Sequence, residues 1–264
     1  MNRCKEIERT IIKRYRKSIW RKFICAIQEY DLIQDGDCIA VCVSGGKDSV
    51  LLAKLLQEVQ RHGQMEFQLK FISIVSTENE ERNDKLLKCA ELLNIPLQTF
   101  QIEQVEVKQN LLLWQCYKHA QELGCNKIAL GNHFDDIVEA ILMGLLYGGR
   151  IQTKMPKQHS KDFSGLQLIR PMYLIKEADI ITWQNYNQLE FLEDDAFLQE
   201  QTSEVAESEE NRKEIKKWIK QFRATSEVID RNIFRSMHDI NLDTLIGYHT
   251  SEWEYCFLDD YEKN

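Results

Sequence analysis

The stretch that most constrains this chain is an apolar run, Cys38 to Val43, that breaks at Ser44-Gly45-Gly46-Lys47-Asp48-Ser49 and gives way to helical periodicity. Six apolar residues without alternation predict a strand buried on both faces, the kind found in parallel sheets. After the break, Leu51, Leu55 and Val59 form one stripe and Leu52 and Leu56 widen it. These predict an amphipathic helix from Lys47 to about Arg61, stopped by Gly63. Adjacent glycines let the backbone reach positive φ and approach a ligand closely. The turn's N–H groups and the helix N-terminus then point at an anion, with Lys47, Ser44 and Ser49 as further donors. The spacing differs from the Walker A pattern, which needs four residues between its glycines and Ser/Thr directly after the Lys; here Asp48 follows Lys47. The alternative is an ordinary tight turn, and the order strand, six-residue turn, helix favours the anion site.

Strand and helix signals then alternate. Strands are predicted over 69–75, 96–102 and 127–130, and helices over 83–93, 112–123 and 136–147, the last stopped by Gly148-Gly149. One more strand is expected over 167–170, a helix from Glu177 onward and another over 214–223. This alternation predicts an α/β fold with a doubly wound parallel sheet, carrying its ligand on the loops that follow the strand ends. A basic helix from about residue 5 to 29 precedes the sheet. The expected organisation is an N-terminal basic helix over 1–30, a nucleotide-binding α/β domain over 31–185, and an acidic linker with a helical extension over 186–264.

Net charge is −8, yet residues 1–22 carry nine Lys/Arg against two Glu, while residues 190–210 carry nine acids and no Lys or Arg. The basic arm suits contact with phosphates or a solvated helix face, and both stand open. With 43% apolar and 29% charged residues, no signal-type N-terminus and no run of roughly 20 apolar residues, a cytoplasmic location without membrane contact is expected. The eight cysteines form no CxxC pair. Cys38 and Cys42 share a strand face with Ala40, which predicts small core residues.

Ser44 to Ser49 resembles the PP-loop motif SGGKDS of the N-type ATP pyrophosphatases. Gly131-Asn132-His133-Phe134-Asp135-Asp136-Ile137-Val138-Glu139 is similar to the GHHxDDxxET signature of the tRNA-modifying branch, and Arg170-Pro171-Met172 to its RPL segment. Tyr147-Gly148-Gly149-Arg150 and Met155-Pro156-Lys157 extend the likeness, which runs from about residue 35 to 185 and points toward the tRNA 2-thiocytidine synthetases. The resemblance implies a Rossmann-like, adenine nucleotide alpha hydrolase-like fold, and conversion of ATP to pyrophosphate plus an adenylated substrate. It implies ATP held by Ser44, Gly45, Gly46, Lys47, Asp48, Ser49, Gly131 and Arg170. Lys47 would neutralise the departing pyrophosphate, His133 would line the adenylation site, and Asp136 would hold Mg²⁺ or steer the nucleophile. Asp136 with Glu139 also reads as a helix N-terminal capping box, and Arg170 as the partner of an acid.

The likeness has gaps. Thiolating relatives place a CxxC near residues 106–116 and a further cysteine near 191–197. Here only Cys116 is present, within a helical apolar stripe. A cubane cluster needs around four soft ligands at one point, so no iron–sulfur cluster is expected. The first His of GHH is Asn132, its closing Thr is Ala140, and an acidic turn is replaced by Ser76-Thr77-Glu78-Asn79-Glu80. Three functions follow. One is adenylation of a nucleobase carbonyl, in tRNA bound through the basic arm, with the nucleophile an amine or sulfur from a donor protein. Another is an ATP-binding sensor or partner subunit without catalysis. The third is a PP-loop enzyme acting on a small molecule.

Overall fold

The computed structural model describes residues 3–63, 65–77, 79–102, 109–192, 209–250 and 252–261. Six strands form one sheet in the order β3-β2-β1-β4-β6-β5. They are β1 (Cys38–Cys42), β2 (Gln68–Ser76), β3 (Leu97–Ile102), β4 (Lys127–Ala129), β5 (Lys157–His159) and β6 (Gln167–Ile169). All neighbours pair in parallel except β5, an antiparallel edge strand on β6. The doubly wound sheet is therefore borne out, with one reversed strand that the sequence did not announce. Three residues without an apolar pattern leave no period to detect.

The pleat sends alternate side chains into two cores. Ile39, Val41 and Val43 enter the core on the side of α3 (Lys47–His62) and α7 (Glu177–Tyr186), whereas Ala40 and Cys42 enter the other, against α5 (Gln109–Glu122). Cys116 is buried there too, so the cysteines act as small core residues, as their strand and helix positions predicted. Burial and the neighbouring thiols push Cys42 well up, and Cys125 is pushed up to about 12 by burial and Cys38.

The chain runs from β1 to β2 and β3 on one side, then crosses back so that β4 lies on the other side of β1. The loops leaving β1 and β4 diverge at this point, which opens a crevice at the carboxyl ends of the strands. The turn Ser44–Ser49 leaves β1 and residues 130–133 leave β4, so both sequence signatures flank one crevice.

The single N-terminal helix expected over 5–29 is instead α1 (Arg3–Lys13) and α2 (Arg21–Glu29), joined by a π turn over Arg16–Trp20. The cause lies in the spacing. Ile7, Ile11, Tyr15, Ile19, Phe23 and Ile27 are all buried and recur every four residues. In a helix of about 3.6 residues per turn, that repeat drifts by about 40° per step. The wider turn, in which Trp20 N–H donates to the Tyr15 carbonyl at 3.2 Å, takes back part of the drift and keeps the stripe on the core. Eight of the nine basic residues of the arm face solvent, and Lys22 pairs with Asp179 of α7 at 3.3 Å.

A buried ion cluster ties this arm to the sheet domain. Lys54 of α3, fully buried, donates to Glu8 at 2.6 Å, Gln57 at 2.7 Å and the Leu93 carbonyl at 2.7 Å, and Arg61 meets Glu8 at 3.0 Å. Burial opposes the charge on Glu8, but hydrogen bonds from Arg61 and Lys54 prevail and lower its pKa from 4.5 to about 2. A depressed carboxylate contributes stability that is present above its unfolded pKa and lost as pH falls through the folded one. Unfolding by urea followed from pH 6 to pH 2 should therefore show stability falling between about pH 4.5 and 2. Glu8→Gln should flatten that fall and, by stranding Lys54, cost roughly 3–5 kcal/mol at neutral pH. An unchanged acid slope in the variant would contradict the assignment.

Candidate active site

The turn after β1 is held shut by its own serines. The Ser44 N–H and hydroxyl both lie 3.1 Å from Ser49 Oγ, and the Ser49 hydroxyl donates to the Gly46 carbonyl at 3.0 Å. Gly45 stands at φ +91, in the region that disfavours side chains, and Gly46 is the extended residue that caps α3. The serines expected as ligand donors thus brace the loop, where the Gly46 N–H also donates to Ser44 Oγ at 3.4 Å, and Lys47 stands at the head of α3. The segment after α7 passes over the loop: Leu192 N–H donates to the Gly45 carbonyl at 3.1 Å.

The loop after β4 comes against the same helix end. A Cβ on Gly131 would lie 3.1 Å from the Asp48 carbonyl carbon and 3.1 Å from the Ser49 nitrogen. Only a glycine lets the two backbones meet there without displacement. Beyond it, α6 (Phe134–Leu146) begins earlier than the sequence suggested, and its capping box pairs His133 with Asp136 rather than Asp136 with Glu139. The correction has a simple cause: His133 is extended and Phe134 is already helical, so the third helical residue is Asp136. The Asp136 carboxylate accepts from the His133 N–H at 2.9 Å, and His133 Nδ1 stands 3.4 Å from both the Asp136 N–H and its Oδ2. A neutral imidazole accepts at that nitrogen; a protonated one turns the same nitrogen to the carboxylate.

His133 joins the two loops, its Nε2 lying 3.8 Å from Asp48 Oδ1. Burial disfavours its protonation, but Asp136, Asp48, Asp135 and Glu177 outweigh burial and hold its pKa above the ordinary value. Asp136 is the complement. Burial opposes its charge, yet His133, Lys154 and the His133 N–H keep its pKa below the ordinary range. Lys47 sits between Asp48 at 3.0 Å and Glu177 at 3.2 Å. Glu177 opens α7, and its N–H donates to Asp135 at 2.7 Å. Asp135 also binds Arg223 of α8 (Glu209–Thr225) at 2.6 Å.

The structure brings Lys47, Asp48, His133 and Asp136 together around this crevice, with Gly131 as the hinge of contact. Arg170 stands apart from the open crevice. It is fully buried, donating to Asn132 Oδ1 at 3.3 Å and to the Met155 carbonyl. Sequence reasoning missed Glu177, Asn132 as the acceptor of Arg170, and the pairing of Asp135 with Arg223. The two acids in the first turn of α7 were the one signal for Glu177, and they read equally as dipole compensation.

A parallel sheet with a glycine turn and a charged second loop at its switch point defines a phosphate-binding α/β domain. The profile of the PP-loop domain family matches residues 15–203, and the chain belongs to that family. Among curated relatives, a tRNA-cytidine(32) 2-sulfurtransferase of Delftia acidovorans is 30% identical over 195 residues, covering 69% of this chain and 62% of that protein. The same-named protein of Dechloromonas aromatica is 34% identical over 169 residues, covering 59% of this chain and 58% of that one. The chain thus spans about three fifths of these relatives' length. Among solved structures, the U34-tRNA thiolase NcsA of Methanococcus maripaludis, with its [4Fe-4S] cluster, matches with TM-score 0.57 at 18% identity, over 86% of this chain and 80% of that one. That likeness shows the shared fold.

The cysteines of this chain do not fit such a cluster. Cys38 meets Cys125 at 3.4 Å and Cys42 meets Cys116, but Cys38 and Cys42 lie four residues apart on one strand, roughly 13 Å. Among the described residues no three His, Cys, Asp or Glu side chains are grouped to hold a metal ion. Residues 103–108 and 193–208, which lie outside the described residues, contain no cysteine. The expected loss of an acidic turn after β2 concerns Glu78, also outside the described residues, and Glu80, the first residue of α4 (Glu80–Leu92). Among the described residues, no helix is long and apolar enough to cross a membrane.

The contact at Gly131 gives a direct test. Gly131→Ala should push the two loops apart and lower stability by roughly 1–3 kcal/mol in urea unfolding. A variant as stable as the parent would show that the loops do not meet this closely.

Proposed function

We propose that the chain binds ATP with its terminal phosphates in the turn Ser44–Ser49, and that it transfers the AMP portion to a carbonyl oxygen of a nucleobase in tRNA, releasing pyrophosphate. The observation that carries this is the meeting of two loops at one switch point, the glycine turn with Lys47 and the Gly131 loop with His133 and Asp136. The carbonyl oxygen attacks the α-phosphorus, the bond to the bridging oxygen breaks, and its electron pair leaves with pyrophosphate. Negative charge grows on that bridging oxygen, so the amides of Gly45 and Gly46 and the Lys47 ammonium lower the barrier where charge accumulates. Lys47 reaches the phosphates by exchanging Glu177, 3.2 Å away, for a phosphate oxygen.

His133 lines the reacting side of the crevice, where the nearby carboxylates outweigh burial and hold its pKa above the ordinary value. Arg170 contributes to the ATP site through Asn132 and the 155 carbonyl, as a positioning residue. Mg²⁺ fits the donor set: it commonly binds through one or two carboxylates plus phosphates and water, and Asp136, with Asp48 nearby, supplies hard oxygens at the head of α6. Bound there, the ion would offset charge on the phosphates.

The relatives' names support a tRNA substrate, and the eight exposed cations of the N-terminal arm suit its backbone. The cysteines do not converge, so the nucleophile that displaces AMP comes from a partner, a sulfur-donor protein above all. In this scheme residues 31–185 form the ATP domain, residues 1–30 an RNA-facing arm, and residues 186–264 an extension whose helix α8 packs on α6. A cytoplasmic site of action follows from such a substrate.

The test uses Mg²⁺ and α-labelled ATP with and without unmodified tRNA. AMP and pyrophosphate should form only with tRNA, and Lys47→Ala should cut the rate by at least about 10²-fold. Formation of ADP would overturn the cleavage position. Saturable ATP binding without turnover in the presence of tRNA would instead favour a nucleotide sensor.

A further inference from the structure

Helix α7 links the crevice to the basic arm. Its first residue, Glu177, meets Lys47 at 3.2 Å, and Ala178, Ile181, Thr182, Asn185 and Tyr186 are exposed along it. Residues three and four apart share a helix face, so an open face runs from the crevice to the C-terminal end. Tyr186 closes the helix, about 13.5 Å along the axis from Glu177.

The arm docks on that far end. Arg3 donates to the Asn187 carbonyl, the Asn187 side-chain amide donates to the Thr10 hydroxyl at 3.1 Å, and the Tyr15 hydroxyl donates to the Thr182 carbonyl at 3.0 Å. Beside these contacts the Arg14 guanidinium lies 4.1 Å from the centre of the Tyr186 ring, and Tyr15 meets the same ring edge-on at 6.2 Å. Tyr186 is nevertheless 51% exposed, and Arg14 is exposed as well. Among the described residues Arg14 makes no ion pair and the Tyr186 hydroxyl no hydrogen bond. Docking of the arm already rests on Arg3, Thr10, Tyr15 and the buried cluster at Lys54. An arginine and an aromatic ring held together in the open offer a flat surface and a charge at once, which suits a base and the phosphate next to it.

The proposed reaction supplies such an occupant. A base whose carbonyl attacks a phosphorus atom must leave its helical stack, and its neighbours then lose a stacking partner. Unpaired bases of RNA are taken up on aromatic rings and guanidinium planes. The length of α7 from Glu177 to Tyr186 corresponds to about four steps of a stacked strand.

We propose that Tyr186 and Arg14 form a stacking platform for an unpaired base of the RNA acceptor, a few nucleotides from the base that reacts in the crevice, with Arg14 also meeting the adjoining phosphate. This rests on the reading of the chain as a tRNA-modifying enzyme. The arm then contributes more than diffuse positive charge: it fixes one nucleotide and sets how far along the strand the reacting base lies.

The test measures binding of unmodified tRNA across a salt series, and binding of ATP, for Tyr186→Ala, Tyr186→Phe and Arg14→Gln. Tyr186→Ala should weaken tRNA binding at least about fivefold. Stacking releases no counterions, so the slope of log affinity against log salt should not change in that variant. Tyr186→Phe keeps the ring and should bind within about twofold of wild type. Arg14→Gln should flatten the slope by about 0.7, one phosphate contact of a single strand. A fully paired RNA duplex, which offers no free base, should bind Tyr186→Ala and wild type alike. ATP affinity should stay at the wild-type value throughout. Equal tRNA affinity of Tyr186→Ala and wild type overturns the platform and spares the proposed function. A loss in Tyr186→Phe as large as in Tyr186→Ala overturns the stacking. An equal loss on the paired duplex, or a fall in ATP affinity, assigns the pair to docking of the arm and overturns it too. No tRNA binding by the wild-type chain overturns both the platform and the proposed function.

Discussion

Four carboxylates, those of Asp48, Asp135, Asp136 and Glu177, converge on the buried imidazole of His133, and two of them also hold Lys47. This concentration of negative charge beside the glycine turn is the constraint around which the rest is arranged. It is tolerated because each acid is compensated locally: Asp135 by Arg223 and the Glu177 N–H, Asp136 by His133 and Lys154, Asp48 and Glu177 by Lys47. Under the proposed function, a triphosphate arriving in the turn would compete with Glu177 and Asp48 for Lys47, so that binding would exchange one anionic partner for another, and Mg²⁺ would serve to hold phosphate and carboxylate oxygens together.

The scaffold serves that arrangement through close backbone approach. Gly131 lets the loop after β4 rest on the first turn of α3, so the capping carboxylates of α6 and the N–H groups of α3 address the same space. The outer helices then fix the charges from behind. The four-residue repeat of α1 and α2, corrected by its π turn, docks the basic arm on α3 and α7. Helix α8 ties α6 to the C-terminal extension by apolar packing and by Arg223.

Much of this was legible in the sequence, and what was not has physical causes. The strand, turn and helix at 38–61 were readable because burial on both faces, a glycine pair and a 3.6-residue stripe are local patterns. The loop carrying Gly131 to Glu139 was recognised as a motif, but its internal bonding was not. Whether Asp136 caps with His133 or with Glu139 depends on where the helix begins, and helix starts are set by backbone conformation that propensity fixes only to within a turn. Glu177, Arg223, Lys154 and the bonding of Arg170 were hidden because they act across 15 to 130 positions of chain, where a charge pattern says nothing about partners. The π turn was hidden in plain view: a strict repeat of four in a helix of 3.6 needs a correction somewhere.

The most direct measurement is a crystal structure of the chain with Mg²⁺ and an ATP analogue that cannot be cleaved between the α- and β-phosphates. The account predicts the terminal phosphates against the amides of Gly45 and Gly46, Lys47 released from Glu177 onto a phosphate oxygen, and the α-phosphate facing His133 and Asp136. A nucleotide bound away from this turn, or bound there with its α-phosphate turned from the loop after β4, would contradict it.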